Sequence, residues 1–296
     1  MKRIRRPARI LVGSFVGLLV IVAVLMRLMD GMFAEANGIR DLDEAGLTRR
    51  SIPGPAGFTL SYFQAGDPAR GRVVYCHGTP GDANGWSAYL ADPVGGMGAV
   101  SFDRIGFGKT TPLKAMPDLA TQAASLLPFL TGPGPRPILV GHSFGGPIIV
   151  RAALDHPELV GGLVIAAGDL DPGLEEWRWY NRLADTWLVR LVIPGAMARS
   201  NDELKPAKAE LRAMAERLGD LKVPVILVHS TDDSLVPYAN VAFMREHFPA
   251  GVIRRVYTLE DKDHFVVWNA ADTVQAAIQE LADLVAASDV GAGSTD

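Results

Sequence analysis

Ser143 stands in the stretch VGHSFGG, residues 140–146, directly after the apolar run PILV. A serine hydroxyl is a weak nucleophile until a neighbouring base removes its proton and an acidic group orients that base. Both kinds of partner follow along the chain. Asp232 and Asp233 are the acidic candidates, in HSTDDSLVP, and His264 is the candidate base, in LEDKDHFVVW. The G-x-S-x-G spacing of Gly141, Ser143 and Gly145 implies a sharp strand-to-helix turn that lifts the hydroxyl clear of a sheet edge. The chemistry that suits these residues is attack on an acyl carbonyl, which requires donors for the oxyanion that forms. The candidates are the backbone N–H groups of Thr79, in YCHGTPGDANGW, and of Phe144, next after the nucleophile. The other histidines fit less well. His156 and His247 fall near helix ends, His229 lies inside a strand, and His142, adjacent to the serine, should point away from it.

Those residues need a frame that brings distant loops to one edge. Short apolar runs of β type are expected at 58–64, 72–77, 98–103, 136–141, 162–167, 223–230 and 252–258, with helical patterns near 117–130, 145–156, 237–248 and 270–287. Several of the runs are continuous Val/Ile/Leu, as strands covered on both faces require. The alternation predicts a doubly wound, mostly parallel α/β sheet. It fails once, between residues 169 and 222, where helical pattern continues without a strand and Trp177, Trp179, Tyr180 and Trp187 are concentrated.

Composition excludes several other classes. A net charge of −4 and a pI near 5.9 give no basic face for a nucleic acid. One cysteine, Cys76, leaves no intrachain disulfide and no cysteine-cluster metal site, and no cofactor motif appears. GFGKT resembles a nucleotide-binding loop, but that pattern needs glycine where Asp103 stands, so no nucleotide is expected. A positive mean hydropathy of +0.16 points to an apolar segment. It is found at 10–26, preceded by Lys2, Arg3, Arg5, Arg6 and Arg9. Its length suits a membrane span with the basic flank in the cytoplasm and the remainder outside. The rival is a cleaved signal peptide, with AEA at 34–36 as the cleavage site and a secreted product. The organisation expected is a basic flank at 1–9, an anchor at 10–28, a linker at 29–47, an α/β domain at 48–288 and a disordered tail at 289–296.

With HGTPG, DRIGFG, GHSFGG, DDSLVP and DHF in this order, the chain resembles the α/β-hydrolase superfamily over about residues 50–288. The resemblance implies a serine hydrolase core with Asp233 as the acid, since the family's aspartate usually precedes an x-x-V-P step, and Asp232 as the fallback. It also implies a lid after the sixth strand, where the aromatic insertion falls. On that reading Trp177, Trp179, Tyr180 and Trp187 line an apolar pocket over Ser143, or else pack the lid onto the core. The family often has serine after the glycines of DRIGFG, where this chain has Lys109 and Thr110. That departure is expected to remove a structural hydroxyl.

Relatives that open epoxides or displace halide carry a carboxylate at the elbow, and Ser143 argues against both. A small acyl substrate, first a carboxylester, is therefore expected, with amide, lactone, thioester and carbon–carbon hydrolysis as alternatives. A catalytically idle, membrane-tethered binding protein is the rival from another class. No cofactor or metal is called for.

Overall fold

The computed structural model describes residues 24–29 and 31–292. Eight strands form one sheet: β1 (Arg50–Pro53), β2 (Thr59–Ala65), β3 (Asp67–Cys76), β4 (Met97–Phe102), β5 (Ile138–His142), β6 (Gly162–Ala166), β7 (Val225–Ser230) and β8 (Ile253–Leu259). Their order is β1-β2-β4-β3-β5-β6-β7-β8; β1–β2 and β2–β4 are antiparallel and every other pair is parallel. Every residue of β4, β5, β6 and β7 is buried, which is why those runs lack polar alternation.

Helices cover both faces. They are α1 (Ser87–Ala91), α2 (Leu119–Ala124), α3 (Leu127–Leu130), α4 (Gly145–Asp155), α5 (Trp179–Ala184), α6 (Trp187–Arg190), α7 (Gly195–Leu204), α8 (Ala207–Ala215), α9 (Ala239–His247), α10 (Val266–Asn269) and α11 (Ala271–Ala292). Two hydrophobic clusters result. One unites α2, α4 and α8 with the sheet around Leu139, Ile148 and Leu211. The other joins α1 and α11 to the opposite face around Tyr75, Trp86 and Ile278.

The winding decides where the chemistry sits. The chain adds β4 on one side of β3 and then crosses to add β5 on the other. Loops leaving β3 and β5 therefore diverge to opposite faces and open a crevice at their C-terminal ends. Register keeps the strand ends level there: Cys76 lies opposite Gly141, His142 opposite Ala166, and Ser230 opposite Leu259.

Three sequence expectations change. Strand β1 was not expected, because four residues with a terminal proline carry little pattern. The stretch expected as a linker at 29–47 packs on the domain instead. Leu42 is buried, and backbone N–H groups of Arg40 and Leu42 donate to Ser87 Oγ and Asn84 Oδ1. The expected tail at 289–296 is helical through Ala292, since α11 continues over alanine-rich sequence. Residues 24–29 are helical, whereas 10–23 of the expected anchor, the basic flank at 1–9 and residues 293–296 lie outside the described residues. Among the described residues no helix is long and apolar enough to cross a membrane.

Candidate active site

Ser143 occupies the turn between β5 and α4 with φ at 54°, a left-handed conformation uncommon for a residue with a side chain. Packing around the turn requires the glycines beside it. A Cβ on Gly141 would meet Gly145 O at 2.5 Å, and one on Gly145 would meet Cys76 O at 2.3 Å. The backbone is held by Ser143 N–H donating to Ala166 O at 3.1 Å and by Gly146 N–H donating to Ser143 O at 2.8 Å.

The loop after β3 lies directly against this turn. A Cβ on Gly78 would approach the Ser143 Cβ to 2.8 Å, so only glycine lets the two backbones come this close. Thr79 follows Gly78, and Phe144 follows Ser143. Among the described residues neither the Thr79 nor the Phe144 backbone N–H is taken by a hydrogen bond. Both remain available to a ligand oxygen.

From β7 comes Asp233 and from the loop after β8 comes His264, each buried. His264 Nδ1 lies 2.7 Å from Asp233 Oδ2, and the other carboxylate oxygen accepts the N–H groups of Leu235 and Val236 at 2.9 and 2.8 Å. Burial works against the Asp233 charge. Hydrogen bonds from His229 and His264 override it and hold the carboxyl well below the usual carboxylate range. Asp232, the alternative acid, instead accepts the Asp261 N–H at 3.0 Å on the surface side of the loop. Among the described residues Ser143 Oγ makes no hydrogen bond, so its link to His264 is not closed.

Three further polar residues join this cluster: His142 and His229, which the sequence offers only as poor bases, and Asp169, which sequence reasoning misses. His142 Nε2 donates to the His264 carbonyl at 3.0 Å, with the two rings 4.9 Å apart. Its imidazole, lowered to about 3 by burial and by the neighbouring His264, is a neutral prop for the His264 loop. His229 Nε2 lies 2.9 Å from Val236 O and 3.5 Å from Asp233 Oδ2. Asp169, just past β6, donates its N–H to Ser143 O at 3.4 Å; burial and the Glu175 carboxyl raise its own carboxyl well above the usual range. The available signal was polar side chains at the ends of otherwise apolar strands.

The loop that follows β4 is not a phosphate cradle. Asp103, where the nucleotide pattern wants glycine, accepts the Lys109 N–H and the Ala83 N–H, each at 2.8 Å. The structural hydroxyl expected to be missing is supplied one residue later: Thr110 Oγ1 donates to Asp103 O at 2.6 Å and accepts from Ser61 N at 2.9 Å.

The aromatics expected to line a pocket are largely open to solvent. Trp179, Tyr180 and Trp187 are 74%, 46% and 71% exposed, and Trp177, half-buried, precedes α5. The helix breaks at 185–186 between α5 and α6, so Trp179 and Trp187 stand on two separate helices.

Comparison with known proteins agrees with this architecture. The family model described as "Alpha/beta hydrolase family" matches residues 73–277. RutD of Klebsiella pneumoniae (strain 342), a carbamate hydrolase by name, is 31% identical, with 57% of this chain and 76% of RutD covered. Lipase LipV of Mycobacterium tuberculosis is 30% identical, covering 57% of this chain and 59% of LipV. The monoacylglycerol lipase of Paleococcus ferrophilus shares the fold at a TM-score of 0.60 and 19% identity, over 76% of this chain and 98% of its own.

Proposed function

Because the chain belongs to the alpha/beta hydrolase family, we propose that it cleaves an acyl bond, first a carboxylester, through a covalent acyl-enzyme on Ser143. One observation carries the reading: a serine held at φ 54° at the sheet edge where a histidine is bound through Nδ1 to a buried carboxylate. In this reading Asp233 fixes the His264 tautomer with the proton on Nδ1 and the lone pair on Nε2. Nε2 takes the Ser143 proton as Oγ attacks the carbonyl, and the Thr79 and Phe144 N–H groups receive the oxyanion. His264 then protonates the leaving alcohol, and water repeats the sequence to release the acid.

The similarity to RutD favours a carbamate as a second substrate class, since a carbamate carbonyl would use the same groups. The insertion at 169–222 is read as a lid over this edge, because it leaves the sheet past β6. The N-terminal segment at 10–28 is read as an uncleaved anchor that holds the hydrolase domain outside the cytoplasm, with secretion after cleavage as the alternative.

A fluorophosphonate probe separates enzyme from idle binding protein, because only an activated serine reacts. Wild type should label and Ser143→Ala should not. A panel of p-nitrophenyl esters beside carbamate, amide, thioester and lactone substrates then ranks the bond cleaved. Absence of labelling on folded wild-type protein would overturn the proposal.

A further inference from the structure

The outer face of the insertion is unusually apolar. Trp179, Leu183, Trp187 and Leu191 are 74%, 48%, 71% and 65% exposed along α5, α6 and the residue after it. Scattered exposed leucines are ordinary, but two open indoles grouped with leucines mark a surface that meets something. Arg178 and Arg182 are exposed on the same short segment. Indole and leucine side chains beside guanidinium groups suit the boundary of a bilayer, where rings sit at headgroup depth and arginines reach phosphates.

A second observation says which surface lies nearby. The helical segment at 31–36 places the Phe33 ring 4.8 Å from Phe265 and 5.5 Å from Trp268, beside His264. The apolar run at 10–26 ends seven residues before Phe33, a stretch of chain that spans at most about 25 Å. Leu28, Met29 and Met32, in between, are 58–68% exposed. A bilayer holding that run must therefore lie close to the rim of the candidate site. The insertion leaves β6 and the Phe265 loop leaves β8 at this same C-terminal edge.

We propose that the Trp179–Leu191 face docks on the bilayer that holds the N-terminal segment, so that Ser143 takes a lipid-borne acyl ester from that membrane. The proposal rests on the hydrolase reading for its substrate and on the anchor reading for its geometry. Docking itself is a separate claim about a surface.

Site-directed labelling tests it in the full chain, reconstituted in phosphatidylcholine and phosphatidylglycerol vesicles. Cys76 is fully buried, so a thiol introduced by Leu183→Cys takes a fluorophore selectively. Ala250→Cys, exposed before β8 at the opposite sheet edge, is the control. Nitroxide-bearing lipids should quench the label at residue 183 at least threefold more than the label at 250. Equal quenching at both positions overturns docking. So does a label at 183 that iodide cannot reach and lipid nitroxide does not quench, since a second copy or another protein then covers the face. Release of the chain by alkaline carbonate overturns the anchor.

Activity separates the substrate claim from the hydrolase reading. Leu183→Glu with Leu191→Glu should leave p-nitrophenyl acetate turnover within twofold while lowering hydrolysis of vesicle-borne diacylglycerol at least tenfold. Parallel loss of both activities overturns the membrane-fed substrate. Wild-type protein inactive on both overturns the hydrolase reading, while the quenching result still decides docking.

Discussion

Arg104 and Glu203 form a bidentate ion pair out of reach of water, with Nη1–Oε1 at 2.6 Å, Nη2–Oε2 at 3.1 Å and side chains 0% and 1% exposed. Arg104 also donates to His77 O at 2.9 Å and to Gly78 O at 3.0 Å, while Gln122 donates to Glu203 Oε1 at 2.9 Å. Burial disfavours the guanidinium charge, yet the Glu203 carboxylate more than offsets it and raises the Arg104 value above its ordinary one. Helix α7 of the insertion is thereby tied to the loop that carries Thr79.

Removing one partner should be costly. Glu203→Leu leaves Arg104 charged and uncompensated, a loss of about 3–5 kcal/mol in urea unfolding. Arg104→Met combined with Glu203→Leu should recover most of that stability, because matched apolar pairs often replace buried ions without loss. Turnover should fall in the double variant, since Gly78 O loses the Arg104 guanidinium and keeps only His77 Nδ1 as its donor. Full recovery of kcat together with stability would show that the pair only packs the insertion.

Gly78→Ala tests the close approach of two loops. The new Cβ would meet the Ser143 Cβ at 2.8 Å, so the Gly78–Thr79 backbone must move. Displacing one oxyanion donor should lower kcat about 10²–10³-fold on p-nitrophenyl acetate, with far-ultraviolet circular dichroism unchanged. Turnover within threefold of wild type would remove Thr79 from the site.

The two adjacent aspartates should separate cleanly. Asp233→Asn replaces the partner of His264 Nδ1 and should cost about 10⁴-fold in kcat, whereas Asp232→Asn loosens an exposed turn and should cost less than about threefold. Steady-state kinetics on one soluble ester suffices. The reverse ranking would move the acid by one residue.

Two groups, His142 buried and Asp82 half-buried, should tilt stability with pH in opposite directions. His142 falls from an ordinary 6.5 to about 3 through burial and the His264 charge, so its stabilising share is present above pH 6.5 and is lost as pH falls toward 3. Asp82 rises from 3.8 to about 6 through burial and the Asp103 charge, so its share is present below pH 4 and is lost as pH rises through 6. Asp82→Asn should therefore stabilise the protein at pH 8, by less than about 3 kcal/mol, and have little effect at pH 4. His142→Gln should be more harmful at pH 8 than at pH 5. Urea midpoints of both variants at pH 4, 5 and 8 check the signs; a pH-independent difference would contradict them.

Periodicity and turn chemistry made seven of the eight strands readable, because buried parallel strands are bounded apolar runs whose character does not depend on their partners. The elbow was readable for a related reason: the demand for small residues at Gly141 and Gly145 is local and appears in the chain itself. The candidate nucleophile, acid, base and oxyanion loop were therefore all nameable from short motifs. Strand order was not. The level alignment of Cys76 with Gly141 and the 2.7 Å approach of Asp233 to His264 come from how the sheet is wound, which the motifs do not encode.

Side-chain surroundings also had to come from the folded chain. His142 reads in the sequence only as a side chain pointing away from Ser143, and the folded chain gives it a further role, support of the His264 loop. The Arg104–Glu203 pair joins residues 99 positions apart, and nothing in either neighbourhood announces the other. The tryptophans of the insertion show the same division. Their apolar character was plain in the sequence, but a break at 185–186 turned Trp179 and Trp187 outward. Local sequence determined which residues carry chemistry and which runs are buried, since those preferences act over a few residues. Tertiary structure decided which of them meet, because contact depends on winding, register and helix breaks that act across the whole chain.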